Sequence, residues 1–225
     1  MHIPDGLLAL WVWITLLIVS AVCIVYSYFK LKKMLDEKLV PYLGLFSAGI
    51  FAAQLFNFPI PGGTSGHLIG GTLIASIFGP YAVPFILLIV LFIQALFGDG
   101  GITAIGANLF NMGIVGGMFS YLLIKLLVKL LKKLKPTTRF VISAGVSGYI
   151  VTVLSAAAAA IEIAVSGVIP LEIVLPAMVF WHAIIGIGEG IITAAILYYI
   201  IKSKPDLIMT LDDLKIELPN TEASK

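Results

Sequence analysis

Apolar residues run along this chain in seven blocks, parted by short polar or glycine- and proline-rich breaks. The blocks lie at about 7–29, 40–58, 67–78, 81–97, 104–134, 140–166 and 172–201. Each is apolar all round rather than along one stripe, the pattern of a membrane helix. Spanning a bilayer core takes about 20 helical residues. The third and fourth blocks are short, and Gly79–Pro80 breaks the chain between them. They read either as two crossings or as one broken re-entrant element.

The basic residues decide between these. Lys30, Lys32, Lys33 and Lys38 follow the first block. Lys125, Lys129, Lys132, Lys133, Lys135 and Arg139 close the fifth or lead to the sixth. Lys202, Lys204, Lys215 and Lys225 follow the seventh. The positive-inside rule puts all three groups in the cytoplasm. Seven crossings achieve this, with the N-terminus outside and the C-terminus inside. The fold class is therefore an all-α integral membrane protein. Residues 1–201 form one membrane domain, and 202–225 a cytoplasmic tail that forms a surface helix or stays partly disordered. The first block has no basic run before it and exceeds a usual signal-peptide core of about 7–15 residues, so it is expected to be retained.

Composition agrees. Of 225 residues, 60% are hydrophobic and 12% charged, against roughly 25% charged in soluble domains. Mean hydropathy is +1.10. The net charge of +2 gives no reason to expect nucleic acid. The single cysteine, Cys23, excludes a disulfide framework or a thiolate cluster. There is no Walker A sequence, no His-Glu-x-x-His and no Gly-x-Ser-x-Gly. ATP hydrolysis, zinc proteolysis and serine hydrolysis lack their usual parts.

The chemistry gathers at the predicted outer end. The chain opens Met1-His2-Ile3-Pro4-Asp5-Gly6. The Met1 amine, the His2 amide nitrogen and His2 Nδ1 can chelate one ion through fused five- and six-membered rings, once the amide loses its proton. Ni²⁺ and Cu²⁺ favour that loss, and a planar nitrogen set is diagnostic of them. One corner stays open, and His67 is the nearest candidate to fill it. The loop 59–66 is stiff at its prolines and permissive at its glycines. Ser65 or Thr64 can place hydrogen bonds behind the ligands. A histidine at a membrane interface is also met as a merely solvated side chain.

Other polar residues are expected near by. His182 and Glu189 share a helix face seven residues apart. They read as an internal hydrogen bond that fixes helix packing, or as functional intramembrane groups. Asp99 lies in Gly98-Asp99-Gly100-Gly101, with Gln94 before it. Asn108 and Asn111 share a face and can line a cavity, orient the metal-binding segment or cross-link helices. Gly44, Ala48 and Ala52 form a small-residue stripe that admits a close helix partner, within the chain or on another protein.

The opening Met1–Gly6, the run Phe56-Asn57-Phe58-Pro59-Ile60-Pro61-Gly62-Gly63-Thr64-Ser65-Gly66-His67-Leu68, and Gln94-Ala95-Leu96-Phe97-Gly98-Asp99-Gly100-Gly101 with Gly106-Ala107-Asn108 resemble the CbiM/NikM family. These are substrate-capture (S) subunits of energy-coupling-factor transporters for cobalt and nickel. The resemblance covers nearly all the chain. It implies a six-helix S-subunit core plus one additional N-terminal helix. It also implies an ion, Ni²⁺ or Co²⁺, held by Met1, His2 and His67, with no organic cofactor.

The resemblance further implies partners: a transmembrane coupling (T) subunit, two ATPase subunits and often a small additional membrane subunit. The Gly44, Ala48 and Ala52 stripe is similar to the family's docking motif. The setting is a prokaryotic cell membrane. Two other classes remain open on the residues alone. One is a metal channel or secondary carrier using His67, His182 and Glu189. The other is a haem-binding membrane protein with His67 and His182 as axial ligands.

Overall fold

The computed structural model describes residues 1–34 and 39–218. Lys38 and Lys225, counted above in the basic groups, lie outside the described residues. Seven helices follow one another at the expected places. They are α1 (Leu10–Leu31), α2 (Leu39–Gln54), α3 (Gly71–Phe78), α4 (Val83–Leu96), a composite fifth helix, α7 (Pro136–Val165) and α8 (Leu171–Ser203). The fifth runs unbroken from α5 (Ile105–Leu109) through a π-helical stretch (Phe110–Met118) into α6 (Phe119–Leu130). Its wide π turns were not foreseen. Such turns inside α-helices are frequent at functional sites.

Four helices are long and apolar enough to cross a bilayer: α1, the composite fifth, α7 and α8. Helices α2 and α4 have 16 and 14 residues. Helix α3 has 8, about 12 Å of rise, well short of a crossing. Gly79, with φ of 84°, stops it.

The exterior is apolar. Trp11, Phe92, Phe180 and Tyr199 point outward, while Ser143, Ser147, Thr152, His182 and Glu189 are buried inside. A molecule apolar outside and polar within suits lipid, where each inner polar group must find a partner in the protein. Helices α7 and α8 are the two longest and pack against each other. Their backbones close up at Gly145 and Gly190, where a Cβ on Gly190 would stand 2.7 Å from the Gly145 carbonyl. Helix α1 lies to one side. It buries only Val12, Ser20, Ser27 and Leu31, and Ser20 donates to the Gly106 carbonyl at 2.7 Å.

The N-terminus and the lysine-rich segments lie at opposite ends of the bundle. At the N-terminal end, 58–66 forms a small hairpin, with Phe58 opposite Gly66 and Pro59 opposite Ser65. This two-residue ladder departs from the all-helical expectation. At the other end the segment after α8 departs further. Over the described residues 204–218 it forms no long surface helix. After a 3-10 turn, Pro205–Leu207, it folds back and buries Ile208, Leu214 and Ile216.

The returning segment also closes α3. The Met209 amide donates to the Ile77 carbonyl at 2.8 Å, and the Thr210 hydroxyl to the Ser76 carbonyl. A helix C-terminus leaves carbonyls unpaired, so a half-length helix ending inside the protein needs such partners. Truncation after Lys204 removes the partners and three buried aliphatic side chains. Such a loss of several kcal/mol is expected to lower the thermal midpoint by about 5–10 °C. An unchanged midpoint in a differential scanning measurement would contradict the closing role.

Candidate metal centre

The first residues do not trail in solvent. Met1 and Ile3 are 0% exposed and His2 is 3% exposed. The segment threads between the 58–66 hairpin and the 98–103 loop. The Met1 amine donates to the Ser65 carbonyl and to Ser65 Oγ at 2.8 Å. The His2 amide donates to the same Oγ at 3.0 Å. Ile3 is clasped at both ends by Asn108: its N–H donates to Oδ1 at 2.8 Å, and its carbonyl accepts from Nδ2 at 3.0 Å. The Ile3 carbonyl also accepts from Gly101 N–H at 3.0 Å.

Gly101 has to be glycine, because a Cβ there would lie 2.4 Å from the Asp5 carboxylate. Asp5 accepts from the amides of Ile102 and Thr103, at 3.1 and 2.8 Å, and from the Thr103 hydroxyl. The Thr103 hydroxyl first, then these amides, hold its carboxyl below the usual range. Asp5 thus ties the N-terminal segment to the loop just before α5. Reading the sequence did not assign it this role. Its place two residues before the first apolar block was the available signal.

Two imidazoles meet at this point. The His2 and His67 rings stack with centroids 4.2 Å apart and planes 19° from parallel. His67 is 1% exposed. Its Nδ1 sits 2.7 Å from the Leu68 carbonyl, so Nδ1 carries the hydrogen and Nε2 presents its lone pair. That Nε2 is buried with no hydrogen-bond partner. Both His2 ring nitrogens lack a directed hydrogen bond as well. Asp99 Oδ1 comes within 2.9 Å of His2 Nδ1, off the line of a hydrogen bond. It is a charged neighbour to the ring, held from behind by Asn57 Nδ2 at 2.7 Å. The Gln94 side chain also borders His2. Orphaned, fully buried ring nitrogens are costly, and His182 Nε2 is a third such atom.

Burial holds the Met1 amine well below its ordinary value of 8.0. Burial likewise lowers His2 below 6.5, against the opposing pull of Asp99. Asp99 is raised by burial and lowered more by His2, the Met1 amine and Asn57, so its carboxyl stays below its ordinary range. The pocket therefore holds neutral nitrogens beside one carboxylate at neutral pH.

The remaining candidates separate. Glu189 does not bond His182. Its two oxygens accept from the Ile69 and Gly70 amides, each at 2.7 Å, and Gln54 donates to the Ile69 carbonyl at 2.8 Å. Glu189 and Gln54 thus fix the loop that presents His67. Gln54 carried no sequence signal. His182 bonds its own helix, Nδ1 to the Met178 carbonyl at 2.8 Å. A His182–Glu189 hydrogen bond is corrected on these contacts: each group has a nearer backbone partner.

Thr64 turns to the Met178 sulfur, at 3.7 Å, so Ser65 alone of the hairpin pair bonds the N-terminal nitrogens. Asn111 donates to Glu162 at 2.8 Å and takes no part in holding the N-terminal segment. Gly44, Ala48 and Ala52 are all exposed on α2, so no helix of this chain covers the stripe. Among the described residues no three His, Cys, Asp or Glu side chains converge as a metal cluster. The donors here are main-chain nitrogens and two imidazoles.

Long apolar helices around a polar interior define a multi-pass membrane protein. The model of the cobalt uptake substrate-specific transmembrane region, CbiM, matches residues 2–207, and the chain belongs to that family. It is 41% identical, over 92% of its length, to an Archaeoglobus fulgidus protein assigned as a fused nickel transport protein, NikMN, of which it spans 68%. It is 34% identical to the fused nickel transport protein NikMN of Rhodobacter capsulatus, over 92% of this chain and 64% of that one. A Methanocorpusculum labreanum protein assigned as cobalt transport protein CbiM 1 is 32% identical, over 94% and 93% of the two chains. The crystal structure of a transition metal transporter superposes with a TM-score of 0.85 at 35% identity, covering 96% of this chain and all of that one.

The clasp on Ile3 yields a test. Asn108→Ala strands the buried Ile3 N–H, at about 1–3 kcal/mol, and leaves the Ile3 carbonyl with Gly101 N–H alone. Opening of the N-terminal segment should rise about thirtyfold for a net loss of about 2 kcal/mol. The readout is the rate at which an acylating reagent labels the Met1 amine. Equal rates in the two proteins would contradict the clasp.

Proposed function

We propose that this chain captures Ni²⁺ or Co²⁺ at the outer face of a prokaryotic cell membrane for ATP-driven uptake. The observation that carries the proposal is the burial of the Met1 amine and His2 against His67, with unpartnered ring nitrogens on both histidines. The ion is held in a planar set of four nitrogens: the Met1 amine, the His2 amide, His2 Nδ1 and His67 Nε2. Stacked rings do not point at one centre, so one imidazole turns about its Cβ as the ion enters. The His2 amide gives up the proton it shares with Ser65. A divalent ion, one deprotonated amide and the Asp99 carboxylate together carry no net charge, which a buried pocket favours. Planar nitrogen ligation suits Ni²⁺ and low-spin Co²⁺, with nickel slightly preferred.

The membrane orientation follows from the lysines: N-terminus outside, C-terminus cytoplasmic. Helix α1 is the additional helix, and its single-sided packing on the fifth helix supports that. The other six form the capture core. The exposed Gly44, Ala48 and Ala52 stripe docks a transmembrane coupling subunit, and two ATPase subunits on that partner supply the energy. A small additional membrane subunit takes part. A channel or carrier using His67, His182 and Glu189 gains no support, because both Glu189 oxygens are spent on the backbone.

Two measurements test the site. Isothermal titration with Ni²⁺ should show His67→Ala weakened more than about 100-fold, beyond the 10–100-fold of an outer partner. His182→Ala should stay within about threefold of the native chain, as a residue outside the ligand set. The reverse order would sink the assignment. The second is proton release. Because the amine and His2 sit below their ordinary values, burial favours the neutral form of both. Only the amide proton should leave, about one per ion. Affinity should therefore climb about tenfold per pH unit near neutrality and collapse as pH falls through the lowered values. Release of two or more protons at pH 7 would contradict the buried neutral amine.

A further inference from the structure

At the lysine-rich end, α6, the start of α7 and the returned segment border an open surface pocket of about 610 Å³. Lys125, Lys129 and Lys132 line it from one face of the fifth helix and its end, Arg139 from α7 and Lys215 from the returned segment. One acid is present. Asp213 is engaged by Lys125 at 2.9 Å and by the Tyr121 hydroxyl. Four cations in the lining are thus left uncompensated. Burying or gathering like charges is unfavourable unless something of opposite sign joins them.

Two further features lie at the edge of this pocket. Arg139 Nε is buried and has no hydrogen-bond partner, while its Nη2 reaches the Lys215 carbonyl at 3.4 Å. One part of the guanidinium fork is spent on the tail and another is left over. Lys215 is the one non-glycine residue among the described residues with a left-handed backbone, φ 54°. Strain of that kind collects at binding sites. Val128 and Leu214 supply an apolar wall beside the cations. A concave basic pocket with an apolar side, at the point where a membrane helix leaves its apolar stretch, has the depth of phospholipid phosphates.

We infer that this pocket binds the headgroup phosphate of an acidic phospholipid. The phosphate takes the free side of the Arg139 fork, for which guanidinium geometry is suited, with Lys129, Lys132 and Lys215 around it. An acyl chain lies along Val128 and Leu214. The ligand bridges α6, α7 and the returned segment, and so holds in place the residues that close α3. The inference goes beyond the metal-capture reading and does not depend on it.

The test uses the full chain in micelles of neutral detergent, titrated with phosphatidylglycerol and, in parallel, phosphatidylcholine. Bound lipid is counted by native mass spectrometry. The variant K129Q/K132Q/R139Q should bind phosphatidylglycerol about 100-fold more weakly, since each cation near an anionic surface contributes about fivefold. The control K30Q/K32Q/K33Q removes the same charge from exposed sites at the same end and should change binding less than about threefold. Equal weakening in both variants, or none in the first, would overturn the inference. Displacement of the lipid by inorganic phosphate, or stronger binding of an acidic peptide than of phosphatidylglycerol, would also overturn the headgroup assignment. Should the triple variant fail to fold, Arg139→Gln alone removes the fork and should cost about tenfold.

Discussion

A chain terminus is a charged, mobile group, and water is its usual place. Here the Met1 amine is withdrawn from solvent and bonded to Ser65. That burial constrains everything around it. An amine taken out of water must become neutral or find a negative partner, and the pocket offers only one carboxylate, Asp99, shared with His2. The result is a set of neutral nitrogen donors in a closed space. Donors of that kind bind a transition metal without first having to lose protons, apart from the one on the amide.

The rest of the N-terminal end serves this burial. Asn108 and Asp5 pin the segment from the composite fifth helix and the loop before it. Glu189 and Gln54 pin the residues that follow His67 from α8 and α2. A carboxylate that accepts two backbone amides at the start of the short helix α3 also meets its dipole. The same helix is closed at its far end by Met209 and Thr210. One eight-residue helix therefore joins the nitrogen cluster to the lysine-rich end of the molecule. Its two ends are each fixed by a segment distant in sequence.

Much of this was legible in the sequence. The seven apolar blocks became seven helices because block length and the breaks at Gly79–Pro80, 135–139 and 167–171 limit where a helix can run, although α6 already ends at Leu130 and α7 starts at Pro136. Met1 and His2 stood out because chelate ring sizes follow from covalent geometry, whereas His67 was a candidate by topology that the fold brings against His2. What was missed depends on contacts across long separations. Glu189 was paired with His182 by helix periodicity, yet its partners are amides 120 and 119 residues away. Periodicity reports which face a residue occupies and not what lies opposite. Thr64 and Ser65 are neighbours in a hairpin, so alternation sends one inward and the other to Met178. The tail looked polar enough to be free, because the carbonyls it satisfies belong to a helix more than 130 residues earlier in the chain.

The central claim is that the free amine of Met1 is itself a metal ligand. The most direct measurement is a visible-absorption titration with Ni²⁺ on the native chain and on one carrying a single residue before Met1. Planar nitrogen ligation gives a d–d band, and that band should appear in the native protein and be lost in the extended one, with tight binding lost alongside. The same band at the same affinity in both proteins would contradict the claim and move the site away from the amine.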